Sequence, residues 1–293
     1  MDGETPRWSD LAAMARAAED VGFDSVWVGD RLLGDGENDM WECTTLLSAL
    51  ANETSRITLG SLVIRSIYRN PVLTAKIANT LDEISGGRFV LGLGVGPDGG
   101  ENERLGCPED HPIGRFEEAL VIIRGLLQRG SVDYEGTYYR VRDCELGTRG
   151  PSEQGPPLLI AARAPRVLRL AARNADLWQT YLIYRKDDPS EIERQQREVD
   201  AACEAEGRDP ATLERTGFVQ LDTRNRPGGG VQLEAMEKFG YGGAPISGAP
   251  EEIADAFRVL AGLGFSQLHI LPTPNSLGGA EVIGRALEIL DRG

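Results

Sequence analysis

The stretch ITLGSLVIRSIYRNPVLTAKIANTLDEISGGRFVLGLGVG, residues 57 to 96, decides the fold class. It opens on a run rich in β-branched residues, Ile57 to Ile64, which favours a strand. A helix follows that starts at Asn70-Pro71 and stops at Gly86-Gly87, because proline suits the first turn of a helix and glycine its end. A second apolar run, Phe89 to Val95, comes next. Strand, helix and strand in this order predict a crossover between parallel strands.

The same alternation continues in both directions along the 293 residues. Further strands are predicted at 25–28, 157–161, 177–181, 216–221 and 267–271. Helices are predicted at 8–21, 44–52, 115–128, 165–174, 190–206, 250–263 and 280–290, and a hairpin outside the repeat at 132–141. With seven parallel strands, we expect a single α/β domain over residues 1–293 built as a (β/α)₈-type barrel. The chain opens on a helix, so the first barrel strand is expected to be missing, which would leave strands 25–28 and 267–271 facing a gap.

Composition narrows the classes of function. The formal net charge of −15 argues against nucleic acid as a partner. No run approaches the roughly 20 apolar residues of a membrane span, and the first ten residues lack the basic region of a signal peptide. Four single cysteines with no C-x-x-C spacing indicate reduced thiols, so we expect a cytoplasmic protein. With two histidines and no H-E-x-x-H motif, no metal site is expected.

The segment from Gly94 to Gly99 fits the G-x-G-x-x-G pattern of dinucleotide-binding folds and follows a strand. Pro97 and Asp98 lie inside the loop, acidic residues such as Glu101 and Glu103 follow, and no helix is predicted to begin at Gly99. A tight loop over a barrel mouth is therefore favoured over a pyrophosphate site.

Several blocks together resemble the luciferase-like flavin and deazaflavin oxidoreductases. The first is Gly22-Phe23-Asp24-Ser25-Val26-Trp27-Val28-Gly29-Asp30, which is similar to the family's second-strand signature. Arg69-Asn70-Pro71 and the residues from Thr80 to Gly96 match the block that leads into the fourth strand. Residues 170–176 and 248–252 match again, so the resemblance covers residues 9 to 290.

The resemblance implies a barrel that binds coenzyme F420 or FMN at the carboxyl ends of its strands. It implies cofactor contacts from Asp30 and Val95, and from a bulge with a non-proline cis peptide between Leu62 and Val63, next to Ser61. It places the cofactor phosphate after the family's fifth barrel strand, which corresponds to the strand predicted at 157–161. Ala162, Arg163 and Ala164 follow that strand, and Arg163 and Ala164 replace the family's usual glycine pair. The amides of Arg163 and Ala164 precede a helix N-terminus, which attracts anions.

The resemblance also supplies candidate catalytic residues. Arg31 follows the second-strand signature, and Glu101 is a carboxylate at the mouth that is suited to donate a proton. A surface ion pair for Asp30 and Arg31, and a solvated loop acid for Glu101, are the alternatives. Relatives that oxidise sugar phosphates carry a histidine at position 31 and an acid at position 97, so that substrate class is disfavoured. His269, in an apolar strand, is interpreted as a core residue.

The resemblance implies an oxidoreductase that moves a hydride between F420 or FMN and a small organic substrate, with F420 favoured. With FMN, oxygen activation would make it a monooxygenase. The chain would act on small molecules, without a nucleic acid or membrane partner, and a homodimer is compatible with the resemblance. The alternative is a degenerate, non-catalytic protein that still binds a flavin or deazaflavin, as the missing strand and the two lost side chains suggest.

Overall fold

The computed structural model describes residues 6–34, 40–96, 100–224, 244–273 and 275–292. The chain divides into two compact units. The first unit comprises Met1–Ala15 with Asp24–Ala161, and the second comprises Arg16–Phe23 with Ala162–Gly293. Residues 1–5 lie outside the described residues, so the absence of a first barrel strand stays a prediction. None of the helices in the described ranges has the length and apolar character needed to cross a membrane.

The first unit alternates strands and helices. Helix α1 (Trp8–Asp20) begins in it and ends in the second unit. The elements that follow are β1 (Ser25–Val28), α2 (Cys43–Glu53), β2 (Thr58–Ser61), β3 (Ile64–Arg65), a 3₁₀ turn (Ser66–Tyr68), α3 (Pro71–Ser85), β4 (Phe89–Gly94), α4 (Glu101–Leu105), α5 (Pro112–Arg129), β5 (Ser131–Glu135), β6 (Arg140–Glu145) and β7 (Leu158–Ala161).

Helix α3 shows how the sequence sets its boundaries. The Asn70 side chain accepts a hydrogen bond from the Val72 amide at 2.9 Å, and Pro71 occupies the first turn. Gly86 ends the helix with a φ of 66°, a left-handed conformation that glycine adopts without steric cost. Both predicted boundary signals of this helix are confirmed.

The sheet of the first unit is parallel, in the order β1-β2-β4-β7, with β3 also paired to β4. Gly60 is opposite Val90 and Ile64 is opposite Leu93. Between these two pairs, three residues on one strand lie opposite two on the other, which is a one-residue β-bulge. The single strand predicted over 57–64 is thus two strands separated by a bulge.

The hairpin β5–β6 is antiparallel and stands apart from the parallel sheet, as the sequence predicts. Its turn is tied to α5 by Glu118, whose carboxylate accepts from the amides of Thr137, Tyr138 and Tyr139 at 2.7, 2.9 and 3.0 Å. One acidic side chain thus satisfies three donors that a sharp turn leaves without strand partners.

The second unit contains α6 (Pro165–Asn174), β8 (Leu177–Tyr181), α7 (Ser190–Ala205), a 3₁₀ turn (Pro210–Thr212), β9 (Glu214–Asp222), β10 (Ile246–Ser247), α8 (Pro250–Gly262), β11 (Gln267–Thr273) and α9 (Leu277–Asp291). Strand β9 is central and parallel to its neighbours: β11 pairs along residues 216–222, β8 along 214–218, and β10 at 221–222.

All seven predicted strand positions carry parallel strands, because apolar runs bounded by glycine and proline are strong signals. Apart from the two 3₁₀ turns, two short elements were not predicted. Helix α4 begins at Glu101, only two residues beyond Gly99, so the expectation that no helix begins at this point is corrected. Its N-terminal glycine, Gly100, has a φ of 71°, and the helix is too short to show a period. Strand β10 is the other, and two residues give no pattern.

Candidate active site

A buried ion pair lies directly after β1. The Asp30 carboxylate, whose side chain is fully buried, accepts from the Arg69 guanidinium at 2.6 and 2.8 Å. It also accepts from the backbone amide of Arg65 at 3.1 Å. Arg69 reaches on to Glu42 at 2.6 Å. The alternative of a surface ion pair for Asp30 is therefore wrong, because this carboxylate is buried and its oxygens are engaged within the protein.

Two members of this cluster, Glu42 and Arg69, have pKa values that keep them charged. Burial pulls the pKa of Glu42 upward, but hydrogen bonds from Thr45, Arg69 and Thr44 outweigh it and bring that pKa to about 2. Burial opposes the charge of Arg69, yet its hydrogen bonds to Asp30 and Glu42 raise its pKa above the ordinary value. The cluster thus holds a permanent cation between carboxylates at the carboxyl end of a strand.

Glu101 belongs to a second network, at the start of α4. Its Oε1 accepts from the amides of Leu32 and Leu33 at 3.0 and 2.8 Å, and its Oε2 pairs with Arg65 at 2.5 Å. Burial raises the pKa of this carboxyl, but the amide of Leu33, the Tyr68 hydroxyl and Arg65 together lower it below the ordinary value. The geometry favours a charged group that holds residues 32–33 in place, and it does not favour the proton donor that the sequence suggests.

Tyr68 and Arg31 complete the polar groups near this network. Burial and the neighbouring Glu101 raise the pKa of Tyr68 to about 12, so its hydroxyl stays protonated, and it accepts a hydrogen bond from Arg65. Arg31 is half-buried, and its Nε donates to the carbonyl of Leu33 at 3.1 Å. Arg31 therefore lies on the loop that Glu101 holds.

The bulge between β2 and β3 contains the predicted non-proline cis peptide, between Leu62 and Val63. The amide of Leu62 donates to the carbonyl of Val28 at 2.8 Å. The Ser61 hydroxyl donates to the Gly92 carbonyl and accepts from the Gly92 amide, both at 2.9 Å. That hydroxyl is completely buried and occupied, so of the predicted cofactor contacts in this segment only Leu62 and Val63 are partly exposed.

Large apolar side chains remain exposed near the same strand ends. Leu32, Met40 and Trp41 keep 37%, 46% and 49% of their surface accessible. Gly29 makes room for Met40, since a Cβ at residue 29 would lie 2.9 Å from the Met40 Cε atom. These side chains give the charged networks an apolar border.

In the second unit, the predicted phosphate anchor lies at the start of α6. Ala164 is the residue before the helix, no side chain caps the first turn, and the turn carries no acidic residue. Arg163 is exposed and pairs with Glu191 at 3.4 Å. Ala162 is buried, and its amide donates to the Gln179 carbonyl at 3.1 Å, so that amide is already used. The start of α6 is therefore without a side-chain cap, and the one ion pair described for Arg163 is with Glu191.

Two further predicted positions have plain placements. Val95 follows β4 and is partly exposed. His269, in β11, is 3% exposed and its Nε2 lies 2.9 Å from the Oε1 of Gln267. Burial lowers the pKa of His269 to about 3, so the ring is neutral at physiological pH. These contacts are those of a core histidine, as the sequence analysis favours.

Sequence patterns do not distinguish Glu42, Arg65 or Tyr68 as functional residues. Arg69 stands out only as part of the block that resembles the family. A signal was present, because Arg65, Tyr68 and Arg69 all fall within residues 65–69, directly after the strand that the sequence predicts over 57–64, and strand ends meet at one edge. Nothing in the sequence pairs them with Asp30 or Glu101, which are more than 30 residues away.

A family model described as luciferase-like monooxygenase matches residues 1–228. A 5,10-methylenetetrahydromethanopterin reductase of Archaeoglobus fulgidus is 31% identical over 215 residues, which are 73% of this chain and 60% of that protein. A phthiodiolone/phenolphthiodiolone dimycocerosates ketoreductase of Mycobacterium bovis is 34% identical over 246 residues, 75% of this chain and 63% of that protein. The chain thus spans less than two thirds of the length of these relatives.

Among solved structures, an F420-dependent secondary alcohol dehydrogenase in complex with an F420-acetone adduct is similar to this chain. The TM-score is 0.81, the identity is 20%, and the match covers 97% of this chain and 96% of that one. This likeness confirms the predicted α/β fold of the barrel type.

Proposed function

The chain belongs to the luciferase-like monooxygenase family, and on that premise we propose that it is an oxidoreductase that transfers a hydride between coenzyme F420 or FMN and a small organic substrate. The observation that carries the proposal is the sequence similarity to two proteins that are both named as reductases, at 31% and 34% identity. F420 is favoured, because the residues around Gly29-Asp30-Arg31 resemble F420-dependent members and the similar solved structure holds that cofactor.

The residues at the start of α6 fit a cofactor phosphate. An uncapped helix N-terminus offers free N–H groups and the positive end of the helix dipole, and no acidic side chain in the first turn repels an anion. We assign the phosphate to the amides of Arg163 and Ala164, with the Arg163 guanidinium as a charged partner. When bound, the cofactor supplies the ring that gives or takes the hydride.

Two side chains of the first unit, Glu101 and Arg31, would form and hold the substrate contact. Glu101 holds the amides of Leu32 and Leu33, and thereby fixes the loop that carries Arg31. A fixed guanidinium at this point would hold and polarise a carbonyl or alkoxide oxygen of the substrate. We therefore assign the substrate contact to Arg31 and a positioning role to Glu101, whose charge the surrounding donors keep.

The apolar border narrows the substrate class. Leu32, Met40 and Trp41 are exposed beside the loop, and they suit an uncharged organic molecule better than a phosphorylated one. The loss of the histidine and the acid of the sugar-phosphate enzymes, at positions 31 and 97, points the same way. A small, largely apolar alcohol or ketone is the substrate class we propose.

Two alternatives remain distinct from this proposal. An FMN-dependent monooxygenase is supported by the description of the family. A degenerate, non-catalytic protein is not favoured, because the similar proteins are named as enzymes. We further propose that residues 1–293 form one domain, and that the protein is cytoplasmic, in keeping with four cysteines that are all free thiols.

The purified protein tests the proposal directly. F420 and FMN are titrated separately, and binding is followed by the change in cofactor fluorescence. We expect F420 to bind and to be reduced when a short secondary alcohol is added. Binding of FMN alone, with a yellow preparation and oxygen uptake, would support the monooxygenase instead. A protein that binds neither cofactor would contradict the proposed function.

A further inference from the structure

Strand β9 has two faces that its contacts distinguish. Arg215 packs over the Trp178 ring at 5.8 Å and pairs with Asp200 of α7 at 2.7 Å, so its face is the one that helices cover. Side chains alternate along a strand, so Thr216, Phe218 and Gln220 point the other way. The Tyr181 and Phe218 rings, 5.8 Å apart, lie on this second face. We call it the inner face of β9.

Polar groups on the inner face are paired near the start of the strand. The Thr216 hydroxyl donates to the Trp178 carbonyl at 3.0 Å and also bonds to the side chain of Gln179. Gln179 Nε2 lies 3.3 Å from the carbonyl of Thr180. This is the usual condition of polar groups inside a protein, where nearly all find partners.

Gln220 differs from them. It is 6% exposed, yet within the described part of the chain its Nε2 has no hydrogen-bond partner. Its neighbours are well ordered by pairing: β11 runs alongside, with Leu271 opposite Gln220, and the next inner-face residue, Asp222, is held by Arg224 at 2.9 and 3.0 Å. The unpaired amide therefore lies on a firmly held strand.

The position of Gln220 is also distinctive. Pairing with β8 ends at Phe218, and pairing with β10 starts at Leu221, so Gln220 lies where one neighbouring strand has ended and the next has not begun. It is the seventh of the nine residues of β9, towards the carboxyl end. Active sites of barrel enzymes are built at that end of the strands. A buried donor without a partner costs stability, so its retention there needs a reason.

We propose that the side-chain amide of Gln220 donates a hydrogen bond to an acceptor oxygen of the bound ligand. This inference rests on the proposed function and deepens it. The acceptor is a carbonyl-type oxygen, either of the cofactor ring or of the substrate. Gln220 would thus orient one of the two reactants from a rigid strand, and its amide would be paired only when the ligand is present.

The test compares Gln220→Met with the wild type and with Gln179→Met. Methionine keeps the length of the side chain and removes the amide. The apo proteins are melted first. We expect Gln220→Met to melt at the wild-type temperature or above, because no bond is lost, and Gln179→Met to melt lower, because its amide is bonded within the fold. A lower melting temperature for Gln220→Met, like that of the control, would overturn the proposal.

Ligand binding is measured next on the same variants. If the acceptor lies on the cofactor, Gln220→Met weakens F420 or FMN binding about tenfold (about 1.4 kcal/mol). If it lies on the substrate, cofactor affinity is kept and the KM for a short ketone such as acetone rises about tenfold. Equal values in both measurements would overturn the inference and leave the proposed function standing. A wild type that binds neither cofactor would overturn both.

Discussion

The guanidinium of Arg69 donates hydrogen bonds to both carboxylate oxygens of Asp30, at 2.6 and 2.8 Å, although the two residues are 39 positions apart in the chain. Removal of Arg69 would leave a buried carboxylate without its counter-charge. We expect Arg69→Met to lower the free energy of unfolding by about 3–5 kcal/mol.

Urea unfolding measures this loss, and Arg292→Met is the matched control, since the ion pair of Arg292 with Glu288 is exposed and worth about 0–1 kcal/mol. The double variant Asp30→Asn with Arg69→Met should recover part of the stability, because the orphaned charge is then gone. Equal losses in Arg69→Met and Arg292→Met would show that the buried pair contributes nothing special.

The two roles considered for Glu101 predict different behaviour of Glu101→Gln. A positioning carboxylate loses its charge pairing with Arg65, so the amides of Leu32 and Leu33 should exchange hydrogen at least tenfold faster, while the pH dependence of kcat keeps its shape. A proton donor would in addition remove one limb of the pH profile, because the hydrogen bonds to Leu32 and Leu33 are present in either case. Hydrogen exchange therefore tests the positioning role, and the pH–rate profile separates the two roles.

Cofactor affinity tests the anchor at the start of α6. Arg163→Gly should weaken binding of F420 about tenfold, or about 1.4 kcal/mol. Glu191 competes for the same guanidinium at 3.4 Å, so Glu191→Gln should strengthen binding two- to threefold, by roughly 0.5 kcal/mol. Isothermal titration of the two variants gives both numbers. Unchanged or tighter binding by Arg163→Gly would mean that the arginine merely obstructs the site.

The neutral state of His269 makes stability depend on pH. Its pKa is about 3 in the folded protein, against the ordinary value of 6.5, so the unfolded chain takes up the proton first. This contribution is complete above pH 6.5 and is lost as the pH falls towards 3. By pH 5 the loss is about 2 kcal/mol.

The variant His269→Gln keeps a nitrogen at the position of Nε2 and does not titrate. Urea unfolding of both proteins at pH 7 and pH 5 measures the difference, and the variant should lack the loss of about 2 kcal/mol. If the two proteins lose the same stability between these pH values, His269 is accessible to protons in the folded state.

Local signals made most of the fold predictable. Apolar runs gave the strand positions, and Asn70, Pro71 and Gly86 marked the ends of a helix, because the residues that set such boundaries are adjacent in sequence. Once the range of a strand is predicted, the residues at its carboxyl end are predicted too. For that reason Asp30, Arg31 and Val95 could be named as candidates from the sequence.

The roles of those candidates could not be predicted in the same way. Whether Asp30 is a free carboxylate or half of an ion pair depends on Arg69, which packing brings to it from another element. From the sequence, Glu101 is suited to donate a proton. In the structure, its Oε1 accepts hydrogen bonds from the amides of Leu32 and Leu33, and this contact cannot be read from the sequence. No sequence pattern points to Gln220. It is distinctive only because its buried Nε2 has no hydrogen-bond partner within the described residues, and that is visible only in the structure.

At the bulge between β2 and β3, the Ser61 hydroxyl takes the place of a peptide group. Ser61 offers Gly92 the donor and the acceptor that the next residue of a regular strand would offer, both at 2.9 Å. A Cβ at position 92 would fall 1.8 Å from the Ser61 carbonyl oxygen, so glycine is needed opposite. Two residues that are 31 positions apart, Ser61 and Gly92, are therefore both needed to form this bulge. A designer who transfers this bulge to another barrel has to transfer both residues. Serine without the glycine would clash with its neighbour, and glycine without the serine would leave its amide and carbonyl without these two hydrogen bonds.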